Sequence, residues 1–479
     1  MFIIQSPTVG WCTFALLQHV AREAAIPITF DHEINGYCDV HESDLTIPIF
    51  RPLAKNRRLR MPPFGAYLVL VAGWFFGFGL QTTVFPGVIT FTLLESAERL
   101  SFAQAALTAP MAVLLPFAGV LAERKDRRGI MFYFYVFAGI CTLVLSGLLL
   151  TDALSYALLV TFALLVGIAG GFVMPARDSA INAVVRISAR TRHGGIDLQR
   201  AVVMASAVQF GAQIAGMAAG YFAASAGPGI LFVLMGGGLL MGGISAAFLP
   251  RLGSKRQKST AHPLEDLKDG LRAVLHSDVL MPMTSIMVAI GVFIVGGAFL
   301  VLIPILIRDV YGGDYRELSS LMVVFWVGAF VANVLLVKFG QIERPGRALV
   351  LAQGVTVLAV GAFAIPLPFW TLYGLVFAWG LGAGVAISLS RSVVQEHAPA
   401  DKLARVMSVY QLGLFGGMPA GILLMGPAIG AVGPRLAALI PMLGLGVVLV
   451  IISVTTPILS LKRAQSLSHP KAPARDTDQ

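Results

Sequence analysis

Two short charged stretches, set in matching places of an otherwise apolar chain, hold the residues best placed to act. The first runs Gly119-Val-Leu-Ala-Glu123-Arg124-Lys125-Asp126-Arg127-Arg128-Gly129-Ile130, and the second Gly340-Gln-Ile342-Glu343-Arg344-Pro345-Gly346-Arg347-Ala-Leu349. Each is a tight turn between two long hydrophobic runs, and they begin 221 residues apart in a chain of 479. A membrane protein of two similar halves, with one such hairpin in each, is most simply a transporter that rocks between two states. No P-loop is present, so direct ATP drive is not expected. No Ser/His/Asp or metal cluster falls within the apolar runs, and neither an enzyme nor a cofactor is expected. Cys12 and Cys38 share the N-terminal segment with His19, His32 and His41, but Cys38-x-x-His41 matches no compact zinc pattern. Three cysteines are too few for a disulfide framework, and Cys141 reads as a small packing residue.

Composition sets the class of protein that must hold these hairpins. The chain is 57% hydrophobic and 13% charged, with a mean hydropathy of +0.80. A soluble domain carries roughly a quarter charged residues, so this chain cannot cover a water-facing surface of its own size. Its 51 glycines suit membrane helices that pack closely through small residues. The net charge of +10 does not point to nucleic acid, because the basic residues recur in short loops and mark topology.

From Phe64 onward, twelve apolar runs follow one another, near 64–92, 102–122, 130–151, 154–176, 200–222, 228–250, 282–307, 317–339, 347–367, 370–390, 406–428 and 434–457. Each is about long enough to cross a bilayer as a helix, and helices are required because lipid offers backbone polar groups no partner. The expected fold is an all-α integral membrane protein. One set of loops holds Arg124, Lys125, Arg127 and Arg128, then Arg177, Arg186, Arg190, Arg192 and Arg200, then Arg251, Lys255, Arg256 and Lys258, then Lys338, Arg344 and Arg347, then Arg391, Lys402 and Arg405. The alternate loops hold far fewer, such as Arg99, Arg308, Arg316 and Arg435. Positive charge stays inside, so the first set, with both termini, is expected in the cytoplasm.

The expected divisions are an N-terminal extension over 1–60, a first helical unit over 61–250, a linker over 251–281, a second unit over 282–458 and a cytoplasmic tail over 459–479. Residues 1–60 show no signal-peptide pattern. They are either a mobile cytoplasmic extension or the product of a misplaced start, with translation beginning at Met61. In the linker, Leu264, Leu267, Leu271 and Leu275 recur at helical spacing with charges between them, predicting an amphipathic helix on the inner face of the membrane. The halves also echo each other. Arg200 opens a run that reaches Ala215-Gly216 and Arg405 one that reaches Ala420-Gly421, 205 residues on. Repeats of the same parity are related by an axis along the membrane normal.

The first hairpin resembles the loop between helices two and three of the major facilitator superfamily, roughly Gly-x-Leu-Ala-Asp-Arg-x-Gly-Arg-Arg. Gly119, Leu121, Ala122, Arg124, Arg127 and Arg128 match it, Glu123 stands for the usual Asp, and Asp126 for a Gly. The second hairpin resembles the weaker copy between helices eight and nine. Pro175-Ala-Arg177, Arg391-Ser-Val-Val-Gln395 and Arg405-Val-Met-Ser-Val-Tyr410-Gln411 resemble the branch that holds the enterobactin exporter and macrolide-efflux-type proteins. The resemblance covers about 64–457. It implies twelve transmembrane helices in two six-helix, pseudo-symmetric bundles around a central cavity, alternating access, and a bacterial inner-membrane location. It implies export of amphipathic small molecules of siderophore or drug type, by a monomer, with protons and membrane lipids as further partners. An importer or a lipid flippase on the same fold is the alternative.

On this scheme Glu123 can sit near the positive N-terminal end of the eleventh helix, around Ala404 to Ser408, and Glu343 near the start of the fifth. Arg124, Arg127 and Arg128 can reach loop carboxylates or anionic headgroups. The expected conformational switch comprises Gly119, Glu123, Arg124, Arg127, Arg128, Gly340, Glu343, Arg344 and Arg347, with Arg177, Arg391 and Arg405. The competing reading of the arginines is orientation alone. No ionisable residue lies at the middle of any run, so proton carriers are sought at the ends: Glu95, Glu98, Asp178, Asp309 and Glu317. The cavity is then polar and uncharged, with Gln81, Gln209, Gln213, Asn333 and Gln411 as amides within runs. Each either touches substrate or bonds helix to helix.

Overall fold

Backbone N–H and C=O groups in lipid must be satisfied within their own segment, and the chain answers with helix almost throughout. A computed structural model describes residues 62–188, 197–252, 263–339, 342–399 and 402–461. The helices are α1 (Pro63–Thr92), α2 (Ala97–Arg124), α3 (Arg127–Leu150), α4 (Tyr156–Ser188), α5 (Leu198–Gly220), α6 (Pro228–Phe248), α7 (Leu280–Tyr311), α8 (Tyr315–Phe339), α9 (Pro345–Gly361), α10 (Phe369–His397), α11 (Leu403–Ala437) and α12 (Leu439–Thr455). Among the described residues, eleven helices are long and apolar enough to cross a membrane, and α12, at 17 residues, is shorter. The turn into that last span comes earlier, at Gly433. Its φ of 80° breaks α11 and lets Pro434 start a new helical direction. The expected divisions at 1–60 and across most of 459–479 lie outside the described residues.

The packing repeats with a shift of six helices. α1 lies on α5 as α7 lies on α11, α2 on α4 as α8 on α10, and α3 on α6 as α9 on α12. Two seams join the halves, α2 against α11 and α5 against α8, and these too exchange under the same shift. This is the twelve-helix, two-bundle arrangement of duplicated transporters. Small residues allow the close approaches: Gly73 meets Gly238 and Gly242 between α1 and α6, and Gly328 meets Gly380 between α8 and α10.

Two helices outrun the apolar signal. α4 continues from the expected end at 176 to Ser188, and α10 from 390 to His397. Apolar periodicity stops where lipid stops, but backbone hydrogen bonding does not. The residue at stake is Arg177, which the apolar pattern places at a span end and the structure buries inside a helix, 4% exposed.

The linker helix (Pro263–Leu275) packs one face on α11 and leaves two of its stripe leucines exposed. Gly270 and Val274 are buried and Leu267 partly so, whereas Leu271 and Leu275 are exposed. Gly270 sets this face. A Cβ there would stand 2.7 Å from the carbonyl oxygen of Arg405, and Arg405 Nη1 donates to Asp269 Oδ2 at 3.1 Å beside it.

Candidate transport pathway

The hairpins are built from helix ends. Asp126 caps α3, accepting from the N–H of Arg128 at 3.2 Å, and takes the N–H of Leu252 at 2.8 Å on the same oxygen. Arg128 Nη1 donates to the carbonyl of Leu249 at 3.0 Å, just past the end of α6. Arg127 donates to the carbonyls of Ala122 (3.0 Å) and Ser179 (3.4 Å), tying α2 to α4. In the second half Arg347 Nε donates to the carbonyl of Leu459 at 2.7 Å, past the end of α12. A guanidinium at a helix C-terminus meets carbonyls that have no partner in their own helix. These partners are main-chain groups of the arginine's own half. Glu123 and Arg124 lie in the last turn of α2, and their side chains, like Gly340, fall outside the described residues. Glu343, Arg344 and Arg391 are exposed. A Cβ on Gly119 would meet nothing within 4 Å, so no close approach demands a glycine there.

Arg177 stands apart from the other switch residues. Its Nε and Nη2 donate to Asp178 Oδ1 at 3.0 and 2.8 Å, and its guanidinium carbon lies 4.4 Å from the centre of the Phe75 ring. Tyr67 Oη donates to its carbonyl at 3.3 Å. Its Nη1 is buried without a partner.

On the side away from the hairpins, hydrogen bonds join the halves and both seams are closely packed. Arg308 of α7 reaches α1 and the turn beyond it, Nη1 donating to the carbonyls of Thr90 (3.2 Å) and Glu95 (2.6 Å). Its Nε holds Asp309 Oδ1 at 2.6 Å. The Thr92 and Tyr315 hydroxyls are 2.7 Å apart, and Gln104 Nε2 donates to the carbonyl of Leu300 at 3.2 Å. Gly426 and Gly430 of α11 lie against Ser101 and Glu98 of α2, and Gly220 of α5 against Ser319 of α8. These contacts hold the two halves together at that end.

Deeper in, the α5–α8 seam is aromatic, with the Phe210 and Trp326 ring centres 6.0 Å apart. Gln213 is buried on α5 with its Nε2 unpartnered, and Gln209 and Gln411 are half-buried. Gln81 is buried beside a small hollow it shares with Trp74 and Phe78. Asn333 is engaged between helices: its Nδ2 donates to the carbonyl of Ala329 at 2.8 Å and its Oδ1 accepts from Ser388 of α10. The apolar pattern also hid working polar residues. Gln104 and Gln353 are amides within runs, as visible as Gln81, and both bond a carbonyl of a neighbouring helix. Arg308, Thr92 and Tyr315 carried no signal, because their partners are distant in sequence.

A duplicated bundle of membrane-length helices, its halves in contact along seams with small residues, has the architecture of a multi-pass membrane transporter. The chain belongs to the Major Facilitator Superfamily, whose model matches residues 64–422. Among characterised proteins it is 27% identical over 301 residues to the enterobactin exporter EntS of Shigella flexneri, covering 63% of this chain and 69% of that one. To EntS of Escherichia coli O81 (strain ED1a) it is 25% identical over 303 residues, with the same coverage. Among solved structures, the nucleoside transporter NupG superposes with a TM-score of 0.64 at 12% identity, covering 84% of this chain and all of that one. An inward-facing, unoccupied bacterial homolog of the human lysosomal transporter Spinster gives 0.60 at 15%, covering 85% of this chain and all of that one. At such identities these structures share the fold. The protein is a transporter and not an enzyme.

Proposed function

We propose that this transporter exports amphipathic small molecules, of siderophore or drug type, by alternating access in exchange for protons. It works as a monomer in the bacterial inner membrane, with the hairpins and both termini in the cytoplasm. The observation that carries this reading is the seal opposite the hairpins. Arg308, Tyr315 and Gln104 close it with a few hydrogen bonds to carbonyls or a hydroxyl of the other half, contacts that can open as a unit. The excess of Lys and Arg in the hairpin-side loops supports that side as cytoplasmic, which makes the shut end the outer one. The exporter relatives support the direction. For proton exchange, three carboxylates at span ends each sit against an arginine: Glu95 with Arg99, Asp178 with Arg177 and Asp309 with Arg308. In the same reading Glu123 latches the inner mouth against α11 when the outer end opens, and Glu343 does so against α5. Gln81, Gln209, Gln213, Asn333 and Gln411 line or brace the cavity between.

The test is accumulation in everted membrane vesicles with an imposed pH gradient. Exporter-directed uptake that collapses with the gradient is expected. Uptake only in right-side-out vesicles would replace export by import, and uptake indifferent to the gradient would remove the protons.

A further inference from the structure

The Phe210–Trp326 contact sits where a transporter built from repeats holds its cargo. Phe210 is the thirteenth of the 23 residues of α5, and Trp326 the twelfth of the 25 of α8. Both are therefore near the bilayer midplane, on the seam between the repeats. Behind Trp326 the rings continue into the second half. Its centre lies 5.7 Å from Phe325, which is 5.3 Å from Trp379 and 4.8 Å from Phe299. Such a wall offers flat, polarisable faces with edge-on geometry.

The wall also presents donors that nothing accepts. The Nε1 atoms of Trp326 and Trp379 are buried without a partner. Gln213, 1% exposed and one turn from Phe210 on α5, has its amide nitrogen in the same condition. An indole nitrogen can only donate. Leaving such a group buried and unpaired costs about 1–3 kcal/mol, so the two indole N–H groups in this wall, and the amide one turn from Phe210, mark places for acceptor atoms.

The charge at this depth completes the pattern. Among the described residues no Asp or Glu lies in the middle of a span. Asp178 is 22 residues beyond Tyr156 in α4, about 33 Å along at ~1.5 Å per residue, at the far edge of a hydrocarbon layer of about 30 Å. A lipophilic cation would find aromatic faces here but no counter-charge, and it would face donor hydrogens of its own sign.

We infer that the α5–α8 seam binds aromatic solutes bearing oxygen acceptors, neutral or anionic, and discriminates against aromatic cations. This rests on the reading of the chain as an exporter and narrows its cargo. Rings stack against Phe210 and Trp326, while carbonyl or hydroxyl oxygens take the free N–H groups of Trp326 and Gln213.

The test uses the full chain in nanodiscs and equilibrium binding of two probe sets. Umbelliferone, chloramphenicol and salicylate carry rings and oxygen acceptors; tetraphenylphosphonium and ethidium are aromatic cations. The first set is expected to bind and to compete within itself, with the cations failing to displace it. Trp326→Phe keeps a ring and removes the donor, so it should weaken the first set about fivefold with the melting temperature unchanged. Gln213→Leu should do the same, and Phe210→Leu should weaken every ring-bearing probe. Tighter binding of the cations, equal effects of Trp326→Phe on both sets, or no binding of the first set would each overturn the inference. Accumulation of the same probes in everted vesicles separates the two readings. Export of cations alone would sink the cargo class and leave export standing, whereas binding of the first set without vesicle accumulation would sink export and leave the site.

Discussion

Arg308 of α7 donates to the main-chain carbonyl of Glu95, beyond the end of α1, at 2.6 Å. One guanidinium thus ties α7 to the end of α1 with one nitrogen while the other two hold Asp309 at 2.6 and 3.3 Å. The positive charge also lies at the C-terminal end of α1, where the helix dipole favours it. Arg308→Ala removes both effects from a partly exposed site, worth about 1 kcal/mol, a roughly fivefold shift toward opening at this end. Spin labels at Leu94 and Leu436, both exposed near that end, should show a longer-distance population. Arg308→Lys keeps the charge but loses the planar fork and should fall between. Unchanged distances in Arg308→Ala would remove the gate role.

Arg128 on Leu249 and Arg347 on Leu459 are similar devices in the two halves, the first at the C-cap of α6 and the second on the short 3-10 turn that follows α12. Each charge at a helix C-terminus is worth about 0.3–1 kcal/mol, so loss should be local. Amide hydrogen exchange should speed up over 455–461 in Arg347→Ala and over 248–252 in Arg128→Ala, each variant leaving the other region untouched. Spread of the effect into both halves would mean the arginines hold the bundles together.

Glu123→Ala is expected to abolish transport with membrane insertion intact. A carboxylate adds little to topology, and its proposed work is against the start of α11. Full activity in vesicles would rule out the latch.

The spans were legible because a membrane helix must be apolar along its length, and all twelve runs correspond to helices. The ends were less so. The helix continues past Arg177 to Ser188 while the apolar signal stops, so a buried cation was placed at a water-facing margin. The hairpins were legible as charge clusters, but Leu249 and Leu459 were not, since a backbone carbonyl has no letter of its own. Gln104, Gln353 and Asn333 look alike in sequence. Only packing tells that the first bonds across the halves, the second to α10, and the third to its own helix and Ser388. The linker's leucine stripe predicted an amphipathic helix, but only packing tells that Gly270 and Val274 turn to α11 while Leu271 and Leu275 stay exposed.

Gly270 supplies its own test. Its Cβ would meet main-chain atoms of Arg405, the oxygen at 2.7 Å and the carbon at 2.9 Å, and backbone cannot swing aside as a side chain can. Gly270→Ala should lift the linker helix, read as faster proteolysis within 251–281, despite the better helix propensity of alanine. Asp269→Asn should do far less, because the Asp269–Arg405 pair is substantially exposed on both sides and such pairs contribute about 0–1 kcal/mol.

The Arg177–Asp178 pair is asymmetric in a way that orders two variants. The arginine side chain is 5% exposed and the aspartate 56%. Removing the aspartate strands a buried guanidinium whose remaining favourable contact is the face of Phe75, and uncompensated buried charges cost about 3–5 kcal/mol. Removing the arginine leaves a carboxylate that water can still reach, together with space that a flexible apolar chain can fill. Asp178→Asn should therefore lower the melting temperature clearly more than Arg177→Met, although the second is the more drastic change in shape. The double variant should resemble Arg177→Met alone, because the charge that Asp178 served is gone. Equal losses in the two single variants would mean that Arg177 finds water in the folded protein, and that its burial does not govern the stability of α4.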